Sequence, residues 1–304
     1  NVYYANTDRD GNALDTVGLD FGGRSWAEMA QLDTFITWGS DIDAEGGTGA
    51  IWRLYEGNAT PLLRRFLTAL HVAGENTTTT YDGTEQSGSW SATGEYDADR
   101  VYGQPIGGKN AGNYALDMGG LYSDQQGYDL ITSGGGTLTI NKAQATVTAN
   151  SGTTTYNGTE QSVDGFTVDG LVNGEDQSVL TGVTTSGGKG TNAGSYVITV
   201  GGGSADNYEL TFVDGTLTIE RKAITGSITA DGKTYDGSTY ANTHGTLDGV
   251  ISGDDLQFNT AGAFANKTAG DGKQVTVSGS LGGGDAGNYV LTTNSSATAN
   301  IDRK

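Results

Sequence analysis

The chain has no cysteine, two prolines, two histidines and two methionines among its 304 residues. Without cysteine there is no disulfide staple and no thiolate zinc site. His71 falls in a strand-like run and His244 in a Thr-His-Gly turn. With the two in different parts of the chain, neither a zinc centre nor a histidine-based catalytic triad is expected. No phosphate-binding loop is present: the Gly-Gly-Gly stretches at 134–136, 201–203 and 282–284 do not lead from a strand into a helix. The expected class is therefore non-enzymatic. No apolar run reaches the length of a membrane span, so no membrane insertion is expected. Neither a signal peptide nor a lipidation motif stands in the sequence. Bases are scarce as well. Sixteen Lys and Arg face 36 Asp and Glu, for a formal charge of −20. That balance excludes a nucleic-acid partner, which needs a basic footprint. It favours solubility and suits calcium, whose ligands are carboxylates and carbonyls.

What is abundant is glycine, at 51 residues, together with 26 aromatic residues, 15 of them tyrosine. Low hydrophobicity with high charge can signal disorder. Here the apolar residues fall in short alternating runs, such as Tyr196 to Val200 and Tyr208 to Phe212, bounded by Gly, Asn, Asp and Ser. That is the pattern of antiparallel strands with one buried face.

The runs recur. Tyr81-Asp82-Gly83, Tyr156-Asn157-Gly158 and Tyr235-Asp236-Gly237 are spaced by 75 and 79 residues, each with a Thr before the Tyr. Asn110 to Tyr114 answers Asn192 to Tyr196, and Asp285 to Tyr289 is akin to these and to Asp206-Asn207-Tyr208. Gly136 to Ile140 answers Gly215 to Ile219, with Ala297 to Ile301 a weaker third copy. The period is too long for a solenoid coil and suits a small domain. The chain accordingly divides into 1–66, 67–142, 143–222 and 223–304. The fold class expected is all-β: three tandem β-sandwich-like, immunoglobulin-like domains of roughly seven strands. A β-grasp-like fold is the alternative, but it needs a helix for which no periodicity exists. The shared motifs read as corners. A Tyr anchors each by its ring and hydroxyl, and the following pair tolerates positive φ. The short connectors at Asn141-Lys142-Ala143 and Glu220 to Ala223 predict a semi-rigid rod.

Residues 1–66 differ. Ser25-Trp26-Ala27-Glu28 is a capping box opening a short helix, with Met29, Leu32 and Phe35 inward. Ala50 to Tyr55 reads as a strand turned by Glu56-Gly57-Asn58. At Thr60 to Leu67 helical and strand patterns compete. The repeat register favours a strand through Phe66, Thr68, Leu70 and Val72, with one helical turn at 61–65.

Several residues are candidates for binding. Asp8, Asp10 and Asn12, and Asp41, Asp43 and Glu45, carry the alternating oxygens of calcium loops, without the full twelve-residue pattern. Ordinary acidic turns, common in a chain this acidic, are the favoured reading. The Asp254-Asp255 pair reads as a solvated turn. Trp90, Tyr96 and Tyr102 lie in the longer middle of the first repeat and offer a sugar-stacking platform, with ordinary core as the plain alternative. Trp26, Trp38 and Trp52 read as core of the first segment.

These motifs resemble the glycine-rich, mostly-β repeats of bacterial surface exoproteins known as YDG and YGX (MBG) repeats, over Leu67 to Lys304. Residues 1–66, through Asn1-Val-Tyr-Tyr4, Ser25 to Met29, Ile51 to Gly57 and Pro61 to Arg64, resemble the segment that closes GLUG-type arrays in filamentous-haemagglutinin-like proteins. The resemblance implies a cap on a β-solenoid, an extracellular place on the bacterial surface, and export by two-partner secretion through an outer-membrane transporter. It implies a stalk or spacer in an adhesin that serves attachment or biofilm and reaches host-cell or matrix glycans through the parent protein. The alternative is a carbohydrate-binding, lectin-like module, with or without calcium; no other cofactor is expected.

Overall fold

In the computed structural model, residues 4–5, 9–10, 12 and 23–304 are described. The chain folds into two compact units. The first holds residues 1–144, 170–179 and 205–209. The second holds 145–169, 180–204 and 210–304.

In the first unit the capping box forms as expected. The Ser25 hydroxyl accepts from the Glu28 N–H, and the Glu28 carboxylate accepts from the Ser25 N–H at 2.7 Å. The helix is one turn, Trp26–Met29, followed by a kinked 3-10 segment, Leu32–Asp41. Its Phe35 packs with Ile42 and Leu54 under Met29, Leu32, Trp38 and Trp52. The expected strand at 50–55 shrinks to Trp52–Arg53. It pairs with Ile42–Asp43 on one side and Leu62–Leu63 on the other. The helical turn expected at 61–65 is therefore corrected: Leu62–Leu63 is a strand, and a 3-10 turn follows at Arg64–Phe66. The physical reason is the Gln125 side chain. It accepts from the Leu63 N–H at 3.0 Å and donates to the Leu63 carbonyl at 3.1 Å, holding that backbone extended. Phe66 is exposed, and the first strand of the repeat begins at Thr68.

All three repeats have one plan. An opening strand turns at a glycine-rich or polar corner into a short second strand, which pairs in parallel with the last strand of the same repeat. The pairs are Thr77–Thr80 with Thr137–Asn141, Gly152–Thr155 with Gly215–Glu220, and Lys233–Thr234 with Ser296–Asp302. A parallel pair needs a long crossover, and here nearly the whole repeat supplies it. The last strand then pairs antiparallel with Gly112–Ala115, Gly194–Gly201 or Gly270–Gly282. A second sheet lies around the opening strand: Thr68–Gly74 beside Tyr128–Thr132 and Trp90–Ala92, and Lys222–Ala230 beside Thr243–Asp248 and Tyr289–Thr293. Alternation on these strands, and on Ala143–Ala149, which opens the second repeat, buries Leu70 and Val72, Val147 and Ala149, and Ile224 and Ile228. The repeats contain 3-10 turns but no α-helix. The fold is all-β, and the helix that a β-grasp would require is absent from residues 67–304.

Candidate functional site

The Tyr-Asx-Gly turns are built alike. Each Tyr N–H donates to a carbonyl of the last strand: Tyr81 to Asn141, Tyr156 to Glu220 and Tyr235 to Asp302, at 2.8–2.9 Å. The Asx side chain then accepts from the N–H and hydroxyl two residues on, at Thr84, Thr159 or Ser238. Glycine follows with φ of 79–80°, a conformation that other residues avoid.

The first two turns are not free corners. In the first unit, the Tyr81 hydroxyl donates to Glu175, whose other oxygen accepts from the Tyr208 hydroxyl. The two rings meet edge to face, with centroids 5.5 Å apart. The Val172 N–H donates to the Tyr208 oxygen at 3.0 Å, and the Asn173 amide donates to the Gly83 carbonyl at 2.9 Å. In the second unit the same clasp is made again. Tyr156 donates to Asp254 at 2.8 Å, Tyr289 donates to the same carboxylate, and the Ile251 N–H donates to the Tyr289 oxygen at 3.1 Å. The rings stand edge to face at 5.4 Å. Each clasp joins the Tyr turn of one repeat to an acidic loop and a corner Tyr of the next.

An asparagine completes each joint. Asn207 accepts from the Ala111 N–H at 2.9 Å and donates to Asn110 at 3.2 Å. Asn288, itself buried, accepts from the Ala193 N–H at 2.8 Å and donates to Asn192 at 3.2 Å. The Asn-Ala-Gly corners that receive them are fixed from within. Tyr114 donates to the Asn110 carbonyl and Tyr196 to the Asn192 carbonyl, both at 2.8 Å. These rings lie on glycine, since a Cβ at Gly108 or Gly190 would stand 2.3 or 2.1 Å from the ring.

The phenols sense the carboxylates. The hydrogen bond to Glu175, reinforced by burial, pushes Tyr81 up to about 12. Burial, then Asp254, pushes Tyr156 up to about 12. Tyr208 and Tyr289 shift upward for the same two reasons, burial first. Each clasp is thus held by neutral phenols donating to an acceptor. The expectation that Asp254-Asp255 is a solvated turn is corrected. Asp254 holds two tyrosines, and Asp255 accepts from the Gly284 N–H at 2.9 Å.

A different device holds the first segment to the first repeat, within the first unit. Asp129 is 3% exposed and lies between Arg64, at 2.8 Å, and Arg53, at 3.3 Å. The Arg53 guanidinium also lies 4.3 Å from the Tyr55 ring. The Tyr55 hydroxyl accepts from the Leu130 N–H at 3.0 Å and donates to the Tyr128 carbonyl. Tyr55, Leu62, Leu70, Val72 and Leu130 share one core. Beside it is a cleft of about 730 Å³, lined in part by Glu45, Arg53, Tyr55, Asp117 and Leu130.

The other candidate residues are placed as follows. Asp8 lies outside the described residues. Asp10, Asn12, Asp41 and Glu45 are exposed and Asp43 is half-buried. The Asp43 carboxylate accepts from the Glu45 N–H at 2.9 Å. Among the described residues no three His, Cys, Asp or Glu side chains gather as a metal site would require. Trp90 and Tyr96 are brought together, with rings 5.5 Å apart. Tyr102 stacks instead on Tyr122 at 5.4 Å, with Tyr102 37% and Tyr96 38% exposed.

Sequence reasoning missed Glu175, Asp254 and Asp129. A signal for the first two existed: Asn173-Gly174-Glu175-Asp176 and Ser252-Gly253-Asp254-Asp255 share a glycine followed by two acids, 79 residues apart.

Residues 145–218 match the MBG domain (YGX type), and residues 220–298 match the YDG domain. Such domains are typical of large surface adhesin-like proteins. No curated protein matches this chain. A crystal structure of Drosophila N-cadherin EC1-3 is similar at 9% identity, with a TM-score of 0.22, covering 76% of this chain and 99% of that one.

Proposed function

We propose that this chain is a stalk segment of a secreted bacterial surface adhesin, built to carry tension between an anchored part and a binding part. The observation that carries the reading is the parallel pairing of the second strand with the last strand in every repeat. Tension entering a repeat through its opening strands leaves through its last strand. In a parallel pair the evenly spaced hydrogen bonds lie across that pull. They are sheared together and do not open one by one. The clasps add a second support, because they tie the exit turn of one repeat to the body of the next. Surface attachment or biofilm, export through a two-partner outer-membrane transporter, and a solenoid cap at 1–66 belong to the same proposal. So does a role without catalysis.

Single-molecule force spectroscopy on the full chain tests it. Each repeat of about 80 residues releases up to about 290 Å of chain at ~3.6 Å per residue, less its folded length. Three separate peaks of this increment are expected. Smooth extension without peaks overturns the reading.

A second reading rests on the Trp90–Tyr96 pair, in which half-buried Trp90 sits beside exposed Tyr96. Such a surface stacks on a sugar ring, as a lectin site would, with or without calcium. Glycan-array binding by the full chain that disappears in Trp90→Ala supports it, and no binding with or without calcium removes it.

A further inference from the structure

The third repeat builds the same Tyr-Asx-Gly turn as the other two, with the Lys233 ammonium on Asp236 at 2.9 Å, yet among the described residues no loop closes over Gly237. The Tyr235 N–H donates to the Asp302 carbonyl at 2.9 Å, and Asp236 accepts from Ser238. Tyr235 is nevertheless 39% exposed, where Tyr81 and Tyr156 are 3% and 4% exposed. The glycines agree. A Cβ at Gly83 would meet Asn173 at 2.4 Å, and one at Gly158 would meet Ile251 at 2.9 Å, but at Gly237 nothing lies within 4 Å. A third observation concerns the rim. Where the earlier repeats carry Gln86 and Gln161, whose amides fold back onto the Thr80 and Thr155 carbonyls, the third carries Tyr240, 68% exposed. Exposed tyrosines of this kind are enriched at protein interfaces.

We infer that the face formed by Tyr235, Gly237 and Tyr240 is a docking surface for another domain of this same kind. The partner's chemistry is set by the two filled joints. It presents a loop carboxylate to the Tyr235 hydroxyl and lays a corner tyrosine edge-on against the Tyr235 ring. The backbone beside that carboxylate closes over Gly237. A glycan or an unrelated protein has no reason to match all three. The inference stands on the joint geometry and is independent of whether the chain carries tension.

The test is the full chain carrying a second copy of residues 223–304 joined after Lys304. This junction, Asp302-Arg303-Lys304-Ala223, reproduces the pattern of the natural Glu220-Arg221-Lys222-Ala223 junction. The appended copy carries Tyr235→Phe so that the first Tyr235 is read alone. Tetranitromethane labelling of Tyr235, followed by peptide mass spectrometry, is expected to slow at least tenfold relative to the chain without the addition. Asp254→Ala in the appended copy is expected to restore the faster rate. Unchanged labelling overturns the inference, provided the calorimetric unfolding heat has risen with the added residues and so reports a folded copy. If the heat does not rise, the appended copy is replaced by residues 143–222, which bring Glu175 and Tyr208. Unprotected Tyr235 beside that folded copy is equally decisive against it. Protection that survives Asp254→Ala also counts against the carboxylate clasp.

Discussion

Replacing Asp254 with alanine removes the one acceptor shared by Tyr156 and Tyr289. Tyr156 is 4% exposed and its hydroxyl donates to Asp254 at 2.8 Å. A hydrogen bond to a charged group contributes about 1.5–3 kcal/mol, and a buried donor left without a partner costs about 1–3 kcal/mol. Tyr289 retains the Ile251 N–H as donor to its oxygen, but its own proton loses its acceptor. Asp254→Ala is therefore expected to destabilise the second unit by about 2–5 kcal/mol, and Tyr156→Phe by about 1.5–3 kcal/mol. Both remove the same bond, so the double variant should fall short of the sum by about 1–3 kcal/mol. All four tryptophans lie at or before residue 90, inside the first unit. Their emission is thus an internal control. In urea, the far-ultraviolet circular dichroism transition of the second unit should shift while the tryptophan transition stays in place. A coupling energy below about 0.5 kcal/mol, the level at which independent sites add, would refute the clasp.

Three other outcomes follow from the same structure. Asp129→Ala leaves Arg53 and Arg64 without their shared carboxylate, and removal of one partner from a buried ion cluster costs about 3–5 kcal/mol; the tryptophan-detected urea midpoint should fall while the second unit holds. The clasp tyrosines have folded pKa values raised above 10, so the stability they confer is fully present below pH 10 and is lost as pH climbs toward about 12. Each titrating phenol adds a slope of up to about 1.4 kcal/mol per pH unit in that window, which Tyr81→Phe and Tyr156→Phe should flatten in melts taken between pH 9 and 12. Gly190→Ala places a methyl 2.1 Å from the Tyr196 ring; displacing that ring is expected to cost about 1–3 kcal/mol, read as a lower melting temperature, and an unchanged melt would show that the ring does not rest on the glycine.

Much of this was legible in residue order. The Tyr-Asx-Gly turns, the Gly-Thr-Leu-Thr-Ile strands and the Ser25 capping box depend on contacts between near neighbours, and near neighbours leave periodic traces. Corner tyrosines Tyr114 and Tyr196 do bind their own loops, as their spacing predicts. The clasps were harder to see because their halves are about 95 residues apart and chemically unlike. A phenol in one repeat answers a carboxylate in the next, which is Glu in one case and Asp in the other. Asp129 was hidden for another reason. It occupies the place held by Glu209 and Val290 in the later repeats, so the repeat pattern does not single it out. Its burial comes from Arg53 and Arg64, which lie outside the repeat pattern. At Leu62–Leu63 local helical preference lost to a side chain 62 residues away.

The clasp divides its parts unequally between neighbours: the first and second repeats each offer a phenol forward, and the second and third each return a carboxylate and a second phenol. The second repeat carries both halves and is therefore plug and socket at once. Its acceptor is Glu175 toward the first repeat, while the third repeat answers it with Asp254, so a seam of this kind requires a carboxylate at the end of that loop and not one particular acid.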